Sequence, residues 1–202
     1  MARNLPVNFP IPGETAVASY DYTDVAEGTG IQKFYLTSET TNATISYMLS
    51  EIVEACSVAG DTNDSILQLL TTASHNFDLT AFNAPRRIKG NAFLSFRMKK
   101  SDANANKLKI TLKKVSGAAV TNITSQITSQ SAVAALKYGL LKLPITTLVN
   151  FKKGDILRLN VENDIADGSV LYLGINPLDT ASAAVTMAST KSTLYIPFML
   201  DL

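Results

Sequence analysis

One cysteine, one histidine and no tryptophan occur among 202 residues, and these scarcities exclude more than any motif establishes. Cys56 has no partner within the chain, so stability must come from packing and hydrogen bonding and not from disulfides. Structural zinc needs about four Cys or His ligands, and Cys56 with His75 cannot supply them. Catalysis by a nucleophile and an imidazole base would have to converge on His75. Its one conceivable thiol partner, Cys56, lies in the apolar run Ile52–Val58, the usual setting of an inert buried thiol. The absence of Trp also removes the Cys…Trp…Cys core of an immunoglobulin domain.

Charge and long apolar runs are scarce as well. Charged residues make up 17% of the chain and the net charge is +1, which argues against general nucleic-acid binding. No apolar run approaches the ~20 residues of a membrane span, and Met1–Pro6 lacks the apolar centre of a signal peptide. A soluble, unexported product folded in a reducing compartment is the expectation. Gly28-Thr29-Gly30 lacks the later Gly and Lys of a phosphate loop, so it reads as a turn. Asp61–Asp64 and Asn163–Gly168 offer oxygens without the spacing of a calcium loop. Sequon matches at Asn42, Asn63 and Asn122 are expected by chance where Asn, Ser and Thr are abundant. The sequence therefore predicts no catalytic residue, no cofactor and no metal.

What is present is alternation. Leu94, Phe96 and Met98 are apolar between polar Ser95 and Arg97; Leu108–Lys113 and Leu157–Glu162 repeat the pattern. This period of two puts one set of side chains on the core face of a strand. Further strands are expected at Ile31–Thr37, Ile45–Leu49, Val170–Leu173 and Leu194–Leu200. Pro197, which has no amide hydrogen, places the last at a sheet edge or beside an irregular step. Lys153-Gly154-Asp155 predicts a turn, and Asp167-Gly168 a hairpin between the strands on either side. Short helical turns are expected over Ile66–Leu70 and Ser131–Tyr138, and the tandem Ile123–Gln126 and Ile127–Gln130 reads as a local β or loop segment.

Residues 1–15 carry Pro6, Pro10 and Pro12 among Val7, Phe9 and Ile11 and cannot be helical, so they read as an extended arm. Residues 16–202 then form a single domain. Many short strands without regular βα alternation predict an all-β fold, a two-sheet antiparallel β-sandwich of jelly-roll type.

The charges are uneven along the chain. Residues 1–85 hold ten acids and two bases, whereas Arg86–Lys114 holds ten bases against Asp102 alone. Lys107, Lys109 and Lys113 alternate with core residues and would form a ladder on an outward face, joined by Arg86 and Arg87. The ladder is either a solvated face or a partner for the acidic portion of a neighbouring copy; nucleic acid is the weaker reading, because aromatic stacking groups are not interleaved with these bases.

Ala26-Glu27-Gly28-Thr29-Gly30-Ile31-Gln32-Lys33-Phe34-Tyr35, Phe151-Lys152-Lys153-Gly154-Asp155-Ile156-Leu157-Arg158-Leu159 and Tyr195-Ile196-Pro197-Phe198-Met199-Leu200-Asp201-Leu202 together resemble small virion structural proteins of tailed bacterial viruses and related prophages. The resemblance implies a non-enzymatic capsid decoration, cement or minor capsid component, folded in the host cytoplasm and carried on the virion. Its implied partners are capsid or other virion proteins and its own copies in a homo-oligomer, with no membrane. Val7, Phe9, Ile11, Arg86, Arg87, Lys107, Lys109, Lys113, Tyr195 and Phe198 are the candidate assembly contacts. The alternative is a carbohydrate- or receptor-binding module of a fibre, with Tyr20, Tyr22, Tyr35 and Tyr47 as possible stacking groups.

Overall fold

Alternating side chains bury one face only on extended backbone, and a computed structural model of the chain is extended in every regular element it describes. Residues 29–40, 46–51, 66–69, 74–100, 106–130, 137–164, 170–175 and 192–199 are described. Among them there is no helix, and the strands are β1 (Thr29–Thr40), β2 (Ser46–Ser50), β3 (Ile66–Leu69), β4 (Ser74–Leu79), β5 (Arg86–Lys100), β6 (Asn106–Ser116), β7 (Ala119–Gln130), β8 (Lys137–Phe151), β9 (Ile156–Asn163), β10 (Leu171–Gly174) and β11 (Thr193–Met199). The all-β expectation holds. The proline-rich arm, with Val7, Phe9 and Ile11, lies outside the described residues.

The strands form one mixed sheet in the order β3-β10-β5-β11-β1-β2-β4-β9-β6-β7, with β8 on the second edge of β5. β5 is long enough to hold β11 along Ile88–Ser95 and β10 along Met98–Lys100 on one edge, while β8 runs beside it on the other. Two expectations need correction. The arrangement is not wholly antiparallel, because β2 and β4 are parallel; the chain leaves β2, adds β3 beside β10, and returns as β4, a connection long enough for a crossover. Nor do the strands flanking Asp167-Gly168 form a hairpin: β9 pairs with β4 and β6, and β10 with β3 and β5.

The helical turn expected from Ile66 is also corrected, since Ile66–Leu69 pairs residue for residue with Leu171–Gly174. So short a segment cannot meet the cost of helix nucleation alone, whereas an open strand edge satisfies its backbone at once. Of the second expected turn, Lys137 and Tyr138 begin β8, and residues 131–136 lie outside the described set. The tandem repeat at Ile123 and Ile127 is part of β7.

Pro197 sits between two neighbours and not at an edge. It faces Ile31 of β1, while the register to β5 slips between Tyr195 and Phe198. Gly90 stands at the slip, with φ of +115° and a second register shift towards β8 between Ile88 and Gly90. Such a φ is open only to glycine at low cost. The missing donor of Pro197 is thus absorbed by a local irregularity within the sheet.

Most buried apolar side chains of the described strands belong to one core. It is built by Phe34 and Leu36 of β1, Leu49 of β2, Phe77 of β4, Leu94 and Phe96 of β5, Ile110 and Leu112 of β6, Leu143 of β8, Leu157, Leu159 and Val161 of β9, Leu171 of β10, and Leu194 and Ile196 of β11. The sheet has to curl for strands so far apart in its order to share these contacts. Lys114 of β6 donates to the carbonyl oxygen of Asn150 at the end of β8 and lies 5.6 Å from the ring centroid of Phe151. Phe82 binds the β8–β9 turn through Phe82 N to Asp155 O and Gly154 N to Phe82 O, at 3.0 and 2.8 Å. Its ring meets Phe151 and Phe198 edge-on.

Candidate binding site

The outward residues of β1, β11, β5 and β8 meet in register. Tyr35, Thr193, Ser95 and Leu140 form one row across the four strands, and Lys33, Tyr195, Phe93 and Lys142 form the next. On the other side of the first row Arg97 faces Tyr138. Between these side chains lies a half-open recess of about 330 Å³.

Two cations and three tyrosines define its chemistry. The Lys33 ammonium lies 4.6 Å from the Tyr35 ring centroid and the Arg97 guanidinium 4.4 Å from that of Tyr138, both within cation–π range. Tyr138 is 66% exposed, whereas Tyr35 is buried and Tyr195 half-buried. Ser95 and Thr193 add hydroxyls. Phe96 completes the wall because β8 carries Gly139 opposite it: a Cβ on Gly139 would stand 2.2 Å from Phe96 Cζ. Among the described residues, none of the lining side chains is a carboxylate, imidazole or thiol. The recess has donors, ring faces and positive charge, the equipment for holding an anionic or hydroxyl-bearing ligand.

Elsewhere the outward polar groups serve one another. Arg158 of β9 forks onto Asp78 of β4 through Nε–Oδ1 and Nη2–Oδ2 bonds of 2.6 and 2.7 Å. Asn160 Nδ2 donates to Ser74 Oγ and Asn76 Oδ1, Lys109 pairs with Glu162 at 3.2 Å, and Thr111 and Ser125 share a hydroxyl bond. These contacts tie β4, β9, β6 and β7 across their strands. Asp155 accepts from Lys114 Nζ at 2.8 Å and Lys152 N at 2.7 Å. These bonds, with one from Ser116, hold its carboxyl down at about 2.

The sequence-predicted contacts scatter. Arg86 is exposed and Arg87 half-buried at the start of β5; Lys107 is exposed on β6, with Lys109 and Lys113 partly covered. The bases of Arg86–Lys114 are spread over β5 and β6, which are not hydrogen-bonded neighbours, although Arg86 pairs with Phe151 of β8, beside which Lys114 of β6 also lies. Tyr195 lines the recess. Phe198 is a correction: it is 6% exposed and edge-on to Phe34 and Phe82, a core residue and not a surface contact.

His75 is half-buried on β4 beside Tyr47, with ring centroids 5.7 Å apart. Burial lowers its pKa and favours neutral imidazole. Cys56, Tyr20 and Tyr22 lie outside the described residues. Sequence reasoning missed Tyr138, whose strand is apolar on both faces through Gly139-Leu140-Leu141 and then meets Pro144. No period of two survives there to be seen.

No protein-family model matches the chain, and no curated protein matches it. Its fold is similar to part of a CocE/NonD family hydrolase from Staphylococcus aureus, with a TM-score of 0.59 and 11% identity over 84% of this chain and 37% of that one. An aminopeptidase from a marine sediment Thaumarchaeota archaeon matches with a TM-score of 0.58 and 8% identity, over 84% and 37% of the two chains. An alpha-amino acid ester hydrolase matches with a TM-score of 0.52 and 12% identity, over 83% and 35%. The chain spans little more than a third of these proteins, and at such identity the likeness is one of fold. No helix among the described residues is long and apolar enough to cross a membrane.

Proposed function

We propose that the chain is a non-enzymatic structural protein of a virion, a sandwich of jelly-roll type that packs against its own copies and the shell as a decoration, cement or minor capsid component. The sandwich form is supported by the single core that buried side chains of β1, β2, β4, β5, β6, β8, β9, β10 and β11 share across the length of the sheet order.

The observation that carries the assembly reading is apolar surface on the two strands at the ends of the curl. β8 exposes Tyr138, Leu140 and Leu148 at 66, 69 and 44%, and β7, which it touches, exposes Val120 and Ile127 at 50 and 52%. Large apolar side chains left exposed on two touching strands of a folded chain favour contact with another protein surface. The resemblance of Ala26–Tyr35, Phe151–Leu159 and Tyr195–Leu202 to virion proteins supplies the setting. Cryo-electron microscopy of purified particles tests it: ordered copies on the shell are expected, and particles lacking them sink the virion role.

A further inference from the structure

We infer that the recess between β1, β11, β5 and β8 is a binding site for an anionic saccharide, a sugar chain carrying carboxylates, with Tyr138 and Tyr195 as its ring contacts and Lys33 and Arg97 as its charge contacts. Four observations converge on that class. Two cations stand in a recess whose described lining holds no carboxylate, so an entering carboxylate meets positive charge there. Lys33 has no carboxylate within ion-pair distance among the described residues.

The second observation is the exposed ring of Tyr138, whose apolar body and polar tip match a sugar, which has C–H faces and a hydroxyl rim. The third is the pair of hydroxyls on Ser95 and Thr193, which can both donate and accept, as sugar hydroxyls require. The fourth is rigidity. All these residues stand on hydrogen-bonded neighbouring strands, so little ordering is demanded when a ligand enters. A single-stranded nucleic acid fits less well, because it needs a basic track with stacked aromatics, and the described lining of the recess holds two cations only.

The site shares Tyr138 with the apolar strip of β8, and Leu148, which lies outside the recess, lets the test separate sugar binding from self-association. Isothermal titration of the full chain uses oligogalacturonate, its uncharged galactose counterpart and a short single-stranded oligonucleotide. Saturable binding of oligogalacturonate that weakens with salt is expected, with the uncharged sugar at least about tenfold weaker. Tyr138→Ala and Lys33→Gln should each lower affinity by about tenfold at unchanged melting temperature. Leu148→Lys, outside the recess, should leave sugar binding intact while reducing self-association. Equal affinity for the uncharged sugar, tighter binding of the oligonucleotide at the same residues, or no saturable binding of oligogalacturonate overturns the inference and leaves the assembly reading standing.

Discussion

Single side chains account for several properties of this fold that no periodicity announces. Asp155 is one. Its carboxyl is held at about 2 first by the Lys114 hydrogen bond and then by the Lys152 amide, against an ordinary value of about 3.9 in an unfolded chain. A folded-state pKa below the unfolded one stabilises the fold above the unfolded value, and that contribution fades as pH falls through the folded one. Urea unfolding should therefore show stability declining between about pH 4 and pH 2, and Asp155→Asn should lower stability at pH 7 while flattening that decline. An unchanged acid limb in the variant would contradict the assignment. Gly139 is another such residue, because its missing side chain is replaced by the Phe96 ring. Gly139→Ala should cost about 1–3 kcal/mol by overpacking. Adding Phe96→Leu should make the pair less damaging than the sum of the two changes, a coupling that a double-mutant cycle measures.

Strands show where local pattern suffices and where it fails. The segments around Leu94–Met98, Leu108–Lys113 and Leu157–Glu162 were legible because each has one buried face, and they are β5, β6 and β9. β8 was not legible, since its outward Tyr138 and Leu140 are as apolar as its inward Leu141 and Leu143. β3 and the parallel partner of β2 were hidden for a different reason: their conformation depends on an edge supplied by residues far along the chain. The irregular step at Pro197 was foreseen, but its place in mid-sheet was not, because the compensating residue is Gly90 on another strand. Gly90→Ala should cost about 1–3 kcal/mol through backbone strain. The nearest atom to its new Cβ would be Pro197 Cγ at 3.6 Å, so crowding adds little. Gly117→Ala, at a hairpin φ of +57° with open space around it, should cost only about 1–2 kcal/mol. Paired urea titrations give both values, and a Gly90 loss no larger than that at Gly117 would remove the strain argument.

For the whole molecule, the decisive feature is the curl that places apolar side chains of β7 and β8 outward on touching strands. If copies pack through this surface, the purified chain should have a solution mass above 21.7 kDa that depends on concentration. Leu140→Lys with Leu148→Lys should return it to the monomer at nearly unchanged melting temperature, since both side chains already face solvent. A monomer at every concentration, with the native sequence, would contradict packing between copies through this surface. The basic run Arg86–Lys114 matters less at this scale than its composition suggests: Lys109 and Lys114 pair with Glu162 and Asp155, and the rest is divided between β5 and β6.

The sequence by itself determined that the chain would be extended, with one face of most strands buried, and that its single cysteine could close no disulfide within it. Those are consequences of side-chain period and residue chemistry, which act over a few neighbouring positions. Only the tertiary structure decided which strands became neighbours. Strand pairing is made between residues remote in sequence, so it put Lys33, Ser95, Tyr138 and Tyr195 around one recess and gave two basic strands that the chain runs almost end to end different hydrogen-bonded neighbours. The same pairing turned Phe198 from an expected contact into core, because inward and outward are properties of the assembled sheet and not of the strand alone.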